Sequence, residues 1–185
     1  MKDFTKWDDD SEKGDHLSSR SVLKNFFLGS LQEMYYSENA ITNDFDVIEG
    51  RIISPKLHEI LKIHYAIHLK HKERLEKIFQ LRNETIESKN CVTLNALLAE
   101  AVKQLNAFQD DTENWEIALI LVSQKLAHYK IASYGGLAHL AIKLNYRPAA
   151  TLLAVCVQEE EEYVANNLAG IFDAFLAYHV ESYKI

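Results

Sequence analysis

The sequence predicts an all-α fold: four long helices in an up-down bundle, with a crossover connection that carries a short extra helix. Two observations predict it. The 185 residues include only six Gly and two Pro, so few positions can stop a helix. Apolar residues recur by alternating steps of three and four over long stretches, and nothing alternates with period two for long.

The first helix is expected from Ser21 to Ile48, with Phe27, Leu31, Met34, Glu38, Ile41, Phe45 and Val47–Ile48 on one stripe and Gly50 as the stop. Ahead of it, residues 1–20 are acidic, polar and aperiodic, and are expected to form a flexible tail before a bundle domain over 21–185. The second helix opens at Ser54-Pro55, an N-cap followed by proline at the first helical position, and ends near Asn83. Its stripe is Leu57, Leu61, His64, His68, His71, Leu75 and Ile78. A polar connection, Asn83–Val92, leads into a short amphipathic helix with Leu94, Leu98, Ala101, Leu105 and Phe108 on one side. The run Gln109–Asn114 supplies a turn and a cap. The third long helix, about Glu113 to Asn145, is assigned the stripe Ile117, Leu121, Gln124, His128, Ile131, Gly135, Ala138 and Ile142. The fourth, Pro148 to about Tyr178, is assigned Leu153, Val157, Glu160, Val164, Leu168, Ile171 and Phe175. The long connection between the second and third long helices is what implies a crossover.

Net charge is −7 with both signs interspersed, and no basic face stands out, so nucleic acid and anionic membranes are poor partners. No apolar run suits a signal peptide or a bilayer span, and a cytoplasmic protein is expected. Cys91 and Cys156, the only cysteines, are expected to be reduced, buried thiols. Surplus aromatics (Tyr35 or Tyr36, Tyr146, Phe172, Tyr178) exceed what one core can hold and suggest a homodimer.

Four residues interrupt the apolar stripes near mid-helix: Glu38, His71, His128 and Glu160. At about 1.5 Å per residue, antiparallel helices of similar length bring them to one height. His68 joins His71 on the same face at spacing i, i+3, and His64 and Glu159 lie one turn away. Buried carboxylates and imidazoles are costly alone, so they should meet each other or a metal such as iron, manganese or zinc. The candidate ligands are Glu38, His64, His68, His71, His128, Glu159 and Glu160; no substrate, catalytic residue or organic cofactor is indicated.

The chain resembles the YciE/YciF family, ferritin-like bacterial proteins linked to stress responses and without an established activity. The resemblance runs from Leu23 to Phe172 and is carried by FFLGSLQEMYYSENAI (26–41), HYAIHLKHKERLEKIF (64–79), CVTLNALLAEA (91–101), SQKLAHYKIASYGGLAHLA (123–141) and VQEEEE (157–162). The stretch His128–Gly135 is its most specific piece. The resemblance implies a dimeric bundle with a carboxylate- and histidine-lined centre. It matches Glu38 to the family's first-helix glutamate, His64 and His71 to polar positions of the second, His128 to the histidine of the third, and Glu159–Glu160 to the acidic pair of the fourth. Several of the family's carboxylates are missing: Ala66, Ile67, Ala127, Lys130 and Val164 stand in their places. His68, where the family has a small hydroxyl residue, partly compensates. Two iron ions carry at least about four positive charges, which this set neutralises poorly.

Three readings are open: a stress-type protein with a mononuclear or degenerate metal site, a metal-free bundle that acts through self-association, or a di-iron oxidase or peroxide scavenger. The missing carboxylates weigh against the third, and catalysis is not expected.

Overall fold

The computed structural model describes residues 10–182, with side chains from 19 to 177. All regular structure in that range is helical: α1 (Asp10–Ile48), a 3₁₀ turn (Glu49–Arg51), α2 (Pro55–Leu81), α3 (Val92–Ala107), α4 (Thr112–Lys143), α5 (Arg147–Tyr163), a π-helical segment (Val164–Leu168) and α6 (Ala169–Ser182). No helix among the described residues is long and apolar enough to cross a membrane. The first helix begins at Asp10, well ahead of the expected Ser21. The rest of the expected tail, residues 1–9, lies outside the described residues.

Helix ends are set by local chemistry. The Ser54 side chain accepts from the Leu57 N–H and Pro55 occupies the first turn. The Asp111 side chain caps α4 by accepting from the Asn114 N–H. At the other ends, Asn83 and Asn145 take left-handed φ values of 54° and 65°. Asparagine tolerates that region. The next residues then donate back across the last turn: Glu84 N–H to Phe79 O at 3.0 Å, and Tyr146 N–H to Ala141 O at 2.8 Å. The fourth long helix, expected unbroken from Pro148 to Tyr178, instead changes to a π turn directly after Tyr163. Such turns insert one extra residue and rotate the next stretch of helix about its axis.

Side-chain pairs give the directions. Tyr35 meets Phe79 and Phe45 meets Tyr65, so α1 and α2 are antiparallel. His64 meets Glu160 while Arg74 reaches Cys156, so α2 and α5 are antiparallel. A tight turn joins α4 to α5, which leaves α2 and α4 pointing the same way. The link between them must therefore return along the molecule, and α3 lies on that path, seating Leu94 and Leu98 with Ile41, Leu126 and Tyr129.

Besides the small cluster under α3, the apolar core forms two larger clusters. One cluster contains Phe27, Leu31, Met34, Leu75, Phe79, Leu137 and Leu153. The other contains Leu57, Leu61, Trp115, Leu119, Ile120, Tyr163 and Leu168. Glu38, His64, His68, His71, Lys130 and Glu160 are the buried polar side chains around which these clusters divide.

The stripes expected on α1 and α2 are buried as assigned, apart from Val47, which is exposed, and Phe45 and Ile48, which are partly covered. The stripe expected on α4 is out of register. Its buried face is Trp115, Leu119, Val122, Ala127, Lys130, Tyr134, Leu137 and Ala141, and Leu121, His128 and Ile142 are exposed. A lysine in the middle of the true stripe disguises it as a surface face.

The surplus aromatics find places within the chain. Tyr35 donates to Glu76, Tyr36 donates to Asn95 of α3, Tyr146 lies against Phe27 beneath the Arg82 guanidinium, and Phe172 packs on the second cluster. The aromatic argument for a dimer therefore fails for these four; the side chain of Tyr178 lies outside the described residues.

Glu116, buried near the start of α4, accepts from the backbone N–H groups of Ile53 and Ser54 at 2.7 and 2.8 Å. Those two bonds pin the α1–α2 connection to α4. Replacing an acceptor of two charge-assisted bonds with leucine should cost about 2–4 kcal/mol, and Glu116→Gln, which keeps one oxygen, clearly less. Urea titration of both variants checks this; equal losses would contradict the assignment.

Candidate functional site

The polar layer draws one or more side chains from each of α1, α2, α4 and α5. α1 supplies Glu38, α2 supplies His64, His68, His71 and Arg74, α4 supplies Lys130 and Tyr134, and α5 supplies Glu159 and Glu160. The α2 residues fall on one face because 64, 68 and 71 keep the helical step of four and three. Burial of the apolar residues Leu61, Leu75 and Ile78 on that same face turns the imidazoles inward.

At the centre is the Lys130 ammonium. Its Nζ lies 2.6 Å from Glu160 Oε1, 3.1 Å from Glu38 Oε1 and 2.7 Å from His68 Nδ1. Lys130, Glu38 and Glu160 have 0% side-chain exposure. The remaining carboxylate oxygens are also engaged: Glu38 Oε2 faces His68 Nδ1 at 2.7 Å, and Glu160 Oε2 faces His64 Nε2 at 2.9 Å. The Tyr134 hydroxyl donates a short hydrogen bond to Glu38 Oε1. His71 Nδ1 points between Glu38 Oε1 and Glu160 Oε1, 3.5 Å from each, too long for a hydrogen bond. Its Nε2 lies 3.0 Å from Glu159 Oε2, and Arg74 clamps Glu159 with two bonds of 2.6 and 2.8 Å.

This arrangement sets the electrostatics. Burial pushes the Glu38 carboxyl up, but the Lys130 ammonium and then His68 outweigh it and hold it well below the usual carboxylate range. Glu160 behaves alike: burial raises it, Lys130 and then His64 lower it, and the net shift is downward. Burial lowers His68, the nearby ammonium lowers it further, and its value falls to about 3. His64 is also lowered, chiefly by burial, with Glu160 opposing. Burial, then the Glu38 charge, drives the Tyr134 phenol well above its ordinary value. The layer is thus two ionised carboxylates bracketing one ammonium, with the His64 and His68 rings held toward the neutral form.

Six of the seven expected residues meet here: Glu38, His64, His68, His71, Glu159 and Glu160. His128 does not. It is exposed on the far side of α4, two positions away from the inward-facing Lys130. The helical turn that buries Ala127, Lys130 and Tyr134 carries residue 128 outward. Helical periodicity alone does not single out Lys130, Tyr134 or Arg74. The available signal is the substitution at position 130 itself, a cation where the resembled family has a glutamate.

A metal does not fit this donor set. The oxygens that converge from α1 and α5 already close on an ammonium 2.6–3.1 Å away. A metal ion on the same oxygens would bring like charges within contact distance in a medium that screens them poorly. Among the described residues, no group of three His, Cys, Asp or Glu side chains is disposed to hold one.

A family model described as a domain of unknown function, DUF892, matches residues 22–185. The chain belongs to the DUF892 family. Protein YciF of Escherichia coli strain K12 is 32% identical to this DUF892 chain over 144 residues, covering 76% of this chain and 84% of YciF. The crystal structure of that protein, described as a stress protein, superposes with a TM-score of 0.77 at 28% identity, covering 84% of this chain and 97% of that one. YcfI of Rhodopseudomonas palustris shares the fold, with a TM-score of 0.74 at 24% identity over 78% of this chain and 91% of YcfI.

Proposed function

We propose that this DUF892 chain is a stress-associated, ferritin-like bundle that acts as a metal-independent structural protein and self-associates as a dimer. The observation that carries the metal-independent part is Lys130 Nζ, 2.6 Å from Glu160 and 3.1 Å from Glu38. The lysine supplies internally the positive charge that two facing carboxylates require. The likeness to YciF supports the stress association, and the family resemblance supports the dimer. The helix order, with α3 linking two parallel long helices, supports the ferritin-like description. The Lys130 ammonium forms buried ion pairs with both Glu38 and Glu160, which supports a structural role over an enzymatic one.

The test is metal content after purification without a metal-affinity column, with incubation in iron(II), manganese(II) and zinc(II) before gel filtration. The expected result is well below one ion per chain, with thermal stability unchanged by chelator. A stoichiometric ion that is lost on Glu38→Gln would overturn the reading. Sedimentation at micromolar concentration tests the dimer, and a monomer would count against it.

A further inference from the structure

α3 does not seal the bundle it crosses. Between it and the helices α1, α2 and α4 lies a cavity of about 190 Å³. Its inner walls are buried and largely apolar, with Ile41, Leu61, Ala101 and Leu119 among them. The buried polar side chains that join them bond within the protein: Ser123 donates to the Leu119 carbonyl, His64 faces Glu160, and His68 faces Glu38 and Lys130. Protein interiors leave few voids larger than a water molecule, so this space is not ordinary packing. For scale, an apolar cavity of about 150 Å³ binds benzene. The interior therefore has room for one ring or a short alkyl chain.

The mouth has a different character. Three lining residues are exposed, Asp44, Val47 and Val102, and they mark where the cavity opens to solvent between α1 and α3. Asp44 is the one carboxylate of the lining, and no lysine or arginine joins it there. Among the described residues, its carboxylate has neither an ion pair nor a hydrogen bond. Partial burial pushes that carboxyl up, with no cation to oppose the shift. Phe45 and Tyr65, both partly exposed, stand in the same wall with ring centroids 5.1 Å apart. Aromatic rings attract an ammonium, more strongly where it is partly desolvated.

Charge and polarity together narrow the class of ligand. An anion would meet Asp44 at the entrance. A compact, strongly hydrated cation would gain nothing from the hydrocarbon behind it. A neutral apolar molecule would fill the interior and leave the carboxylate unpaired. An amphiphilic cation uses both parts, with its apolar end inside and its charge at the rim, where some hydration is kept. The net charge of −7 also favours the approach of a cation.

We infer that the cavity beneath α3 is a binding site for a small apolar monoamine, its hydrocarbon part among Ile41, Leu61 and Leu119 and its ammonium at Asp44. The site lies outside the ion pairs of Lys130. It goes beyond the structural role proposed above and does not depend on self-association.

The experiment is titration calorimetry of the full chain at neutral pH with 2-phenylethylamine, 2-phenylethanol and 3-phenylpropanoate. These probes share one ring and a short arm and end in a positive, a neutral and a negative group. The expected result is saturable one-to-one binding of the amine, at least about threefold tighter than the alcohol, with the propanoate weakest. Asp44→Asn should remove the advantage of the amine and leave the affinity for the alcohol unchanged, a selective effect that misfolding would not produce. Ala101→Trp fills the space from the α3 side and should abolish binding of both; if that variant does not fold, Leu105→Phe serves the same purpose. No saturable binding of the amine, equal affinity for the alcohol, an advantage that survives Asp44→Asn, or binding retained in the folded filled variant would each overturn the assignment.

Discussion

Lys130→Met is expected to destabilise the protein by about 3–5 kcal/mol, the cost of leaving buried charge without its partner. For a chain of this size that is a fall in Tm of roughly 6–20 °C. The side-chain volume is nearly conserved, so the loss is electrostatic. Glu38 and Glu160 would face each other across a space with no cation, and one of them would take up a proton. Its folded pKa would then lie above its unfolded value, so the variant gains stability as pH falls through that folded value. The gap between wild type and variant should therefore narrow in acid. Adding Glu38→Gln to Lys130→Met should recover part of the loss, so the double variant should be less destabilised than the two single losses summed. Additive losses at every pH would mean that the three groups do not form one unit.

Acidification of the unchanged protein should act in the opposite direction. His68 titrates near 6.5 when unfolded and at about 3 when folded, so the unfolded chain binds its proton first as pH falls. The stability it contributes is complete above about pH 6.5 and drains away toward pH 3. At pH 5 the loss from His68 alone is about 2 kcal/mol, or roughly 4–8 °C in Tm. His64 is shifted the same way and adds to it. Below the ordinary carboxylate range, Glu38 and Glu160 add a second and steeper loss, because their folded values are also depressed. Thermal melts from pH 7 to pH 4 measure this, and His68→Gln should flatten the upper part of the curve. A Tm constant to within about 2 °C between pH 7 and pH 5 would refute the assignment of a neutral His68.

Much of this arrangement is legible in the sequence, and the reasons differ by helix. On α2, His64, His68 and His71 sit between Leu61 and Leu75 in unbroken helical step, and the apolar flanks fix the face. Glu38 and Glu160 are legible for the same reason. On α4 the inward face carries Lys130, and a lysine argues against burial more strongly than a histidine does. The eye therefore settles on the neighbouring stripe through His128, which is amphipathic enough to pass. Only the three-dimensional pairing with two carboxylates makes the lysine tolerable inside. Glu116 is illegible because its partners are backbone groups of a connection more than sixty positions earlier. The π turn over Val164–Leu168 contains no Gly or Pro to announce it. The cavity beneath α3 depends on how closely a short helix approaches three others, which periodicity does not encode.

The central cation of this core is tethered to its own backbone. Its local concentration is fixed by the fold and owes nothing to the supply of any dissolved ion. Mass action therefore has no hold on it: dilution cannot remove it and scarcity cannot withhold it. Every copy leaves the ribosome already charged.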